Sequence, residues 1–486
     1  MSVHQDRFDF RAPVVPLSEL GRVHVTNVGG AGMSAVARVL LGRDVVVSGS
    51  DPKDLPVLDA LREAGADVHV GARPESVDQV DTVVVSSATR ETDPELARAR
   101  ALGKRVLHRS QALASAADAR RVLAVAGANG KTTTTSMLTA LLLDAGADPS
   151  FAIGGELARL GTNAHAGRGE AFVIEADESD GSFLVYHPEV AIVTNVQPDH
   201  LDHYGTFEAV QDAYLAFAGS IRPGGLLVAC ADDAGSAALA RRACASGVRV
   251  VTYGTGSAAD VRVLGHEVDG FRTVARVLDG DHEVRLGIAI PGSHNILNAT
   301  AAYAAAHHGL GLDPDLAARG LGAYTGTRRR FELKGEAGGV TVVDDYAHNP
   351  GKVAAVVGTA ASLVHRPSRL VVIFQPHLYS RTRDFAAELA AGLRAADVVI
   401  VMDVYAARED PVAGVSGALV ADAVRALAAT DGGPACEVHY VPGWSDAAPL
   451  AADLARPGDL VLTVGAGDVT QLGPRILAAL GEGVRS

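Results

Sequence analysis

At 486 residues, the chain is long enough for two to four domains and too long for one ordinary core. Its net charge of −14 argues against nucleic-acid binding as the main function, and its 48% hydrophobic residues exclude a disordered protein. We expect a globular cytoplasmic protein, because Cys230, Cys244 and Cys436 form no disulfide framework or metal-ligand spacing and the N-terminal residues do not resemble a signal peptide. No apolar run approaches the ~20 residues of a membrane-spanning helix.

A glycine-rich motif follows the first predicted strand. Residues 22–28 form an apolar strand, and residues 30–35 read G-x-G-x-x-A at the start of a helix. The second strand, predicted at 44–48, leads to Asp51, about 20 residues after the glycines, which is the position of a ribose ligand. The motif binds a diphosphate and a ribose, so a UDP-sugar fits it as well as NAD does. The candidate ligand residues here are Gly30, Ala31, Gly32, Met33, Ser34 and Asp51.

Strands and helices continue to alternate up to about residue 120. Strands are predicted at 68–70, 82–87 and 105–107, with helices at 58–64 and 94–102. Such alternation builds a parallel sheet, so residues 1–120 are predicted to form a Rossmann-like domain.

A phosphate-binding loop is predicted between a strand at 122–126 and a helix that follows it. Two glycines precede Lys131 and Thr132, and this order allows backbone N–H groups to approach phosphate oxygens at a helix N-terminus. Only two residues separate the glycines, whereas the Walker A pattern has four; the alternative is a tight turn with a surface lysine. The predicted ATP ligands here are Gly127, Ala128, Asn129, Gly130, Lys131, Thr132 and Thr133.

Acidic and histidine residues follow two further apolar strands. Glu175 ends the strand at 171–175, and His200 follows the strand at 190–195. Because α/β folds bind ligands at the carboxyl ends of parallel strands, we expect these groups to face the triphosphate and its metal, with the Thr132 hydroxyl offered to Mg²⁺. His200 suits the Mg²⁺ shell or a phosphate contact, and the alternative is a structural histidine. The alternative for the remaining acids, 177–180, is a solvated loop.

A predicted alanine-rich helix extends from residue 291 through His308, with Asn295 and Asn298 on one face. Their amides are suited to a nucleotide base, and helix capping by Ser293 or Asn295 is the alternative.

A third α/β unit is predicted at 327–486, which leaves 121–326 as the central domain. The basic cluster 326–332 includes Arg330 and indicates an anionic ligand. A strand beginning at Val340 leads to Asp345 and His348, and a strand at 370–374 leads to Arg381. Strands at 398–402 and 460–464 complete the sheet.

Three α/β domains with Gly-x-x-Gly-Lys-Thr in the second resemble the Mur ligases of peptidoglycan synthesis over essentially the whole chain. Within that family, six blocks in the same order resemble the branch that adds L-alanine to UDP-N-acetylmuramate. These blocks are 29–34, 175–180, 344–348, 374–377, 414–417 and 465–468.

The resemblance implies ATP-dependent joining of L-alanine to the lactyl carboxylate of UDP-N-acetylmuramate through an acyl phosphate, giving ADP and phosphate. It implies that Lys131 contacts the ATP phosphates and that Glu175 and His200 belong to Mg²⁺ sites. Asn295 matches the residue that reads adenine, and Arg330 and Asp345 match residues of the third domain that complete the ATP site. The amino acid is expected near His348 and Arg381, which together with Lys131 are the expected catalytic residues. His348 is expected either to orient the amine or to assist its deprotonation. The glycine motif of the first domain is expected to bind the UDP substrate. We expect a monomer or a weak homodimer that inserts into no membrane.

The chain departs from the alanine-adding pattern in four residues. Ala128 and Asn129 replace Thr-His in the phosphate loop, Asn349 replaces a second histidine, and Leu378 replaces an arginine. Tyr214 lies where later-acting ligases carry a carbamylated lysine, as expected of the first ligase.

The sequence is also compatible with three other functions. One is a related ligase that adds another amino acid or a peptide, including a folyl-polyglutamate-like enzyme. Another is a nucleotide-binding paralogue with impaired catalysis. A third, an NAD-dependent oxidoreductase, leaves the phosphate loop unexplained.

Overall fold

The structure, a computed structural model, describes residues 7–117, 119–407, 409–430 and 436–483. The chain divides into two compact units, residues 1–325 and 326–486. The first unit contains two sheets and the second contains one. The predicted fold class, three α/β domains, is therefore confirmed, whereas the boundaries at residues 120 and 326 stay a prediction.

The N-terminal sheet is parallel throughout, with strand order β3-β2-β1-β4-β5. Its strands are β1 (Val23–Thr26), β2 (Val47–Asp51), β3 (Asp67–Val70), β4 (Thr82–Val85) and β5 (Arg105–His108). Its helices are α1 (Ala31–Leu41), α2 (Pro56–Glu63), α3 (Pro94–Ala101) and α4 (Arg109–Ala116).

The predicted start of the second strand is wrong by three residues. Asp44 has a left-handed φ of +61°, and its N–H donates to the carbonyl of Leu41 in the turn that ends α1. The strand therefore begins at Val47 and extends to Asp51 itself, which was predicted to lie beyond it.

The central sheet has ten strands in the order β15-β14-β13-β12-β11-β10-β6-β9-β7-β8. Its strands are β6 (Arg121–Ala126), β7 (Ser150–Leu157), β8 (Thr162–His165), β9 (Ala171–Glu175), β10 (Val190–Val193), β11 (Leu226–Cys230), β12 (Arg249–Gly254), β13 (Val261–Asp269), β14 (Arg272–Asp279) and β15 (His282–Ile288). Its helices are α5 (Lys131–Asp144), α6 (Leu201–Tyr204), α7 (Phe207–Gly219), α8 (Ala234–Ala245), α9 (Ser293–Ala304) and α10 (Pro314–Leu321).

The position of β6 within this sheet explains its composition. Residues 122–126 are all buried and apolar, as expected for a parallel strand covered on both faces. Strands β9 and β10 pair with it in parallel, so the residues after all three strands reach the same sheet edge. Hairpins add antiparallel strands at both ends of the sheet, which the sequence analysis did not predict.

Helix α9 ends earlier than predicted, because the chain changes to a π-helical turn at Ala305–Gly309. His308 therefore lies in the π-helical turn rather than in the α-helix.

The second unit contains a six-stranded sheet in the order β16-β17-β21-β18-β19-β20, parallel except for the β16–β17 pair. Its strands are β16 (Glu332–Ala337), β17 (Val340–Asp345), β18 (Leu370–Phe374), β19 (Val398–Val401), β20 (Glu437–Tyr440) and β21 (Leu460–Val464). Its helices are α11 (Pro350–Leu363), α12 (Tyr379–Asp384), α13 (Ala386–Leu393), α14 (Ala418–Thr430), α15 (Trp444–Leu454) and α16 (Leu472–Gly483). Over the residues described, no helix combines the length and apolarity needed to cross a bilayer.

Candidate active site

The loop between β6 and α5 requires glycine at two positions. Gly127 has φ +134°, and a Cβ there would lie 2.0 Å from Thr194 Oγ1. Gly130 has φ +87°, and a Cβ there would lie 2.6 Å from Asn298 Oδ1. The loop backbone therefore runs close to both neighbours and leads into the N-terminus of α5, an arrangement suited to phosphate.

Asn129 is held mainly through its backbone. Its N–H donates to Asn195 Oδ1 at 2.9 Å, and its carbonyl accepts from Asn195 Nδ2 at 2.9 Å and Thr194 Oγ1 at 2.6 Å. Its side chain donates only to Gln197, at 3.0 Å. The shape of the phosphate loop thus depends more on Asn195 than on the side chain at position 129.

Lys131 is the positive centre of the loop. Its Nζ donates to the carbonyl of Gly127 at 2.6 Å and to Glu178 Oε1 at 2.7 Å. Burial alone would lower the pKa of Lys131, but Glu178 and Asp177 raise it above its usual value. The side chain is therefore fully charged at neutral pH, as phosphate binding requires.

The predicted metal ligands are only partly brought together. Thr132 Oγ1 donates to Glu175 Oε1 at 3.0 Å, and Glu175 Oε2 accepts the N–H of Gly154 at 2.7 Å. His200 instead lies beside Glu178, with 3.9 Å between Nε2 and Oε1. The oxygens of Thr132 and Glu175 are of the type that Mg²⁺ prefers.

The glycine motif of the N-terminal sheet is stabilised by Asp51. This buried carboxylate accepts the N–H of Gly29 at 2.9 Å and the N–H of Lys53 at 3.0 Å. Of the predicted UDP-binding residues, Gly30 caps α1, whereas Met33 and Ser34 are buried in the core. Their side chains therefore stabilise α1.

Arg109 connects the two sheets of the first unit. Its guanidinium lies over Gly32, where a Cβ would approach Nη1 to 2.5 Å, and it donates to Asp177 at 2.6 Å. Burial acts to raise the pKa of Asp177, but Arg109 and Lys131 hold it well below its usual range. Asp177 is thus ionised between two cations.

A cavity of about 250 Å³ lies between these groups. Ala31 and Gly32 line it from the N-terminal glycine motif, and Lys131 and Glu175 line it from the phosphate loop and β9. The cavity therefore extends from the glycine motif to the lysine that is predicted to hold ATP phosphates.

The two asparagines of α9 serve different contacts. Asn295 Nδ2 donates to the carbonyl of Pro291 at 2.6 Å, and its Oδ1 accepts from Asn298 at 3.3 Å. Asn298 Oδ1 accepts from Thr134 at 3.2 Å. The predicted shared face is confirmed, and Asn298 supports the phosphate loop; neither Asn295 nor Ser293 caps the helix through its side chain.

In the second unit, Asp345 organises the end of β17. Its two oxygens accept the N–H groups of Phe331 at 2.8 Å and Ala347 at 2.7 Å, and burial raises its pKa although Arg330 opposes this. The guanidinium of Arg330 lies 5.2 Å from the ring centre of Tyr346.

His348 and Arg381 both lie next to His377. The rings of His348 and His377 are 5.3 Å apart, and Arg381 Nη1 is 3.4 Å from His377 Nδ1. Burial lowers the pKa of His348 to about 3, and Arg381 contributes to the shift. A neutral imidazole of this kind accepts a hydrogen bond but is a weak base.

Two departures at this site have structural explanations. Asn349 caps α11 by accepting the N–H of Lys352 at 2.9 Å. Leu378 is the N-cap residue of α12, with a left-handed φ of +68° and a buried side chain. The Asn349 side chain therefore stabilises the start of α11, and the Leu378 side chain is part of the buried interior of the second unit.

Comparisons with known proteins identify the family. The descriptions "Mur ligase family, catalytic domain", "Mur ligase middle domain" and "Mur ligase, glutamate ligase domain" match residues 22–121, 125–306 and 329–467. A UDP-N-acetylmuramate--L-alanine ligase of Kineococcus radiotolerans is 54% identical over 97% of this chain and 98% of its own. The chain belongs to the Mur ligase family.

Other Mur ligases show the same relationship. The Renibacterium salmoninarum protein of the same name is 50% identical over 96% of this chain and 97% of its own. The crystal structure of UDP-N-acetylmuramate-alanine ligase from Thermotoga maritima matches this Mur ligase with a TM-score of 0.79 and 26% identity, over 95% of this chain and 99% of that one.

Sequence reasoning missed three residues of this Mur ligase site: Arg109, Thr194 and Asn195. Each follows the carboxyl end of a parallel strand, β5 or β10. The strand-end rule that selected Glu175 and His200 would also have selected Arg109, which follows the predicted strand at 105–107. Thr194 and Asn195 were instead placed inside the predicted strand at 190–195, whereas β10 ends at Val193.

Proposed function

We propose that this Mur ligase joins L-alanine to the lactyl carboxylate of UDP-N-acetylmuramate, with ATP converted to ADP and phosphate through an acyl phosphate. The observation that carries the proposal is the cavity shared by Gly32, Lys131 and Glu175. It suits a substrate whose diphosphate sits at the glycine motif and whose carboxylate reaches the phosphate loop. The names of the relatives support the identity of both substrates.

In this proposal the first unit binds both phosphate-containing substrates. Lys131 and the N-terminus of α5 offset negative charge on the transferring phosphoryl group. Thr132 and Glu175 hold Mg²⁺, because their oxygens lie 3.0 Å apart and are hard ligands. ATP supplies the phosphoryl group, and Mg²⁺ neutralises its charge when bound. His200, whose Nε2 lies 3.9 Å from Glu178 Oε1, is proposed to contribute to the Mg²⁺ site or to contact phosphate.

The second unit is proposed to bind L-alanine near His348 and Arg381. Because the pKa of His348 is about 3, its imidazole is neutral and accepts a hydrogen bond from the amino group rather than removing its proton. Arg381 attracts the alanine carboxylate. Asp345 and Arg330 are proposed to contact ATP.

The test is phosphate release from ATP in the presence of UDP-N-acetylmuramate, with L-alanine compared against glycine, L-serine and D-glutamate. We expect the highest kcat/KM with L-alanine and smaller rates with glycine and L-serine, since small side chains are poorly discriminated. Equal or greater turnover with D-glutamate would instead indicate another branch. Absence of turnover with every amino acid would support an impaired paralogue.

We further propose a cytoplasmic location and a monomer or weak homodimer. Size measurement in solution tests the oligomeric state.

A further inference from the structure

A cluster of metal-ligating side chains lies outside the proposed active site. Asp279 ends β14, and His307 and His308 lie in the π-helical turn after α9. One ligand atom from each residue lies within 4.8 Å of the other two. Among the described residues, no other three His, Cys, Asp or Glu side chains converge in this way.

The separations fit a small divalent ion. His308 Nε2 lies 2.9 Å from Asp279 Oδ2, and His307 Nε2 lies 3.9 Å from the same oxygen. Metal–ligand bonds of ~2.1 Å in a tetrahedral site separate the ligand atoms by roughly 3.4 Å. The two observed separations lie on either side of this value, so binding requires His308 to move slightly away from Asp279 and His307 to move slightly toward it.

Neighbouring groups orient two of the three ligands. His307 Nδ1 lies 2.7 Å from the carbonyl of Leu312, which only accepts, so Nδ1 carries the proton and Nε2 presents its lone pair. Tyr303 donates to Asp279 Oδ2 at 3.1 Å. Such supporting hydrogen bonds are the usual surroundings of metal-bound histidines and carboxylates.

The backbone at the cluster is also unusual. Consecutive residues of an α-helix differ in direction by about 100°, yet the rings of His307 and His308 have centroids only 4.6 Å apart. They occupy a π-helical turn, a rare conformation that is frequent at functional sites. A hydrogen bond between the π-helical turn and the β14–β15 hairpin would need only one histidine.

We infer that Asp279, His307 and His308 bind a divalent transition-metal ion of the Zn²⁺ class, separate from the Mg²⁺ proposed at the phosphate loop. Two imidazoles select such an ion over Mg²⁺. The partial exposure of both histidines leaves access and room for a water as fourth ligand. Metal binding through His308 Nε2 replaces the hydrogen bond between Nε2 and Asp279. A neutral ring then carries its proton on Nδ1, and a protonated ring releases one proton to solvent. The ion would join the end of α9 to the hairpin.

The experiment titrates untagged, metal-free protein with Co²⁺ in excess Mg²⁺ and records the visible d–d bands, followed by competition with Zn²⁺. We expect one equivalent with tetrahedral-type absorption for the wild type. The variant H307A/H308A is expected to bind at least about 100-fold more weakly, because losing even a supporting group of a metal site costs about 10- to 100-fold.

The matched control is His266→Ala, which removes an exposed histidine from β13. It should bind Co²⁺ like the wild type. Asp279→Asn keeps the shape of the cluster and should also weaken Co²⁺ binding. It provides the test if H307A/H308A folds poorly. The inference would be overturned if H307A/H308A and Asp279→Asn both bound Co²⁺ like the wild type, or if the wild type showed no stoichiometric binding. Ligase turnover, measured separately, should be unchanged in H307A/H308A.

Discussion

Lys131 Nζ donates to Glu178 Oε1 at 2.7 Å, so the cation of the phosphate loop is paired with a carboxylate that is only 2% exposed. Burial raises the pKa of Glu178 although Lys131 opposes this. The pair therefore has two consequences, one for catalysis and one for stability, and they are separable by mutation.

We predict that Lys131→Met reduces kcat for ADP formation by at least about 100-fold, since removing one preorganised charge from a transition state has this effect. The same change leaves Glu178 without its partner and lowers the free energy of unfolding by about 3 kcal/mol or more. Adding Glu178→Gln to Lys131→Met should restore much of the stability, measured by urea unfolding, without restoring activity. Recovery of turnover in the double variant would contradict the role of Lys131.

The phosphate loop provides a second prediction, through Asn129 and Asn195. Asn129→Ala removes one exposed side-chain hydrogen bond, so KM for ATP should rise by no more than about threefold. Asn195→Ala removes two hydrogen bonds to the backbone of Asn129. At about 1 kcal/mol for each hydrogen bond, KM for ATP should rise by roughly 30-fold. A larger effect at position 129 would show that its side chain contacts ATP directly.

Gly127 should not tolerate a side chain. Gly127→Ala places a Cβ 2.0 Å from Thr194 Oγ1 at a φ of +134°, and we expect it to lower the free energy of unfolding by more than about 3 kcal/mol. Gly219→Ala is the matched control, because no heavy atom lies within 4 Å of its Cβ at the end of α7. That change should stabilise the protein by about 0.5 kcal/mol. Thermal unfolding of both variants measures the difference.

His108 predicts a loss of stability in acid. Burial lowers its pKa to about 4, and its Nδ1 accepts the N–H of Ser110 at the start of α4. In the unfolded chain the His108 imidazole takes up a proton near pH 6.5, whereas in the folded chain it does so only near pH 4. The contribution of neutral His108 to the free energy of unfolding is therefore fully present above pH 6.5 and is lost as the pH falls toward 4.

The expected loss from His108 is up to about 3 kcal/mol, at about 1.4 kcal/mol per pKa unit. His108→Asn, which retains a capping side chain, should flatten this part of the stability profile. The measurement is urea unfolding at several pH values between 7 and 4. Equal slopes for variant and wild type would contradict the prediction.

Much of the fold was predictable because buried parallel strands are continuous apolar runs. β6, β9 and β18 are of this kind, and each was found within one residue of its bounds. The antiparallel strands β13–β15 were missed. They carry exposed polar residues, such as Glu267 and Arg276, and tertiary pairing rather than continuous hydrophobicity defines them.

The candidate site was predictable where the residue type itself has few alternatives, as at Lys131 and Gly130. The candidate site was not predictable where a residue is positioned by a contact with another residue far away in the sequence. Nothing local in the sequence indicates that Arg109 lies over Gly32, because that contact depends on how two sheets of the first unit pack together. The backbone contacts of Asn129 were unpredictable for the same reason, since their partners are 65 or more residues away.

The residues that support the phosphate loop and the start of α5 lie much later in the sequence. Thr132 bonds to Glu175, Asn129 to Asn195, and Thr134 to Asn298, across separations of 43, 66 and 164 residues. A nascent chain that has emerged only through β6 and α5 thus possesses the motif but none of these contacts. ATP affinity in a series of C-terminal truncations would therefore report when the central sheet finishes folding, and it should appear only once α9 is present.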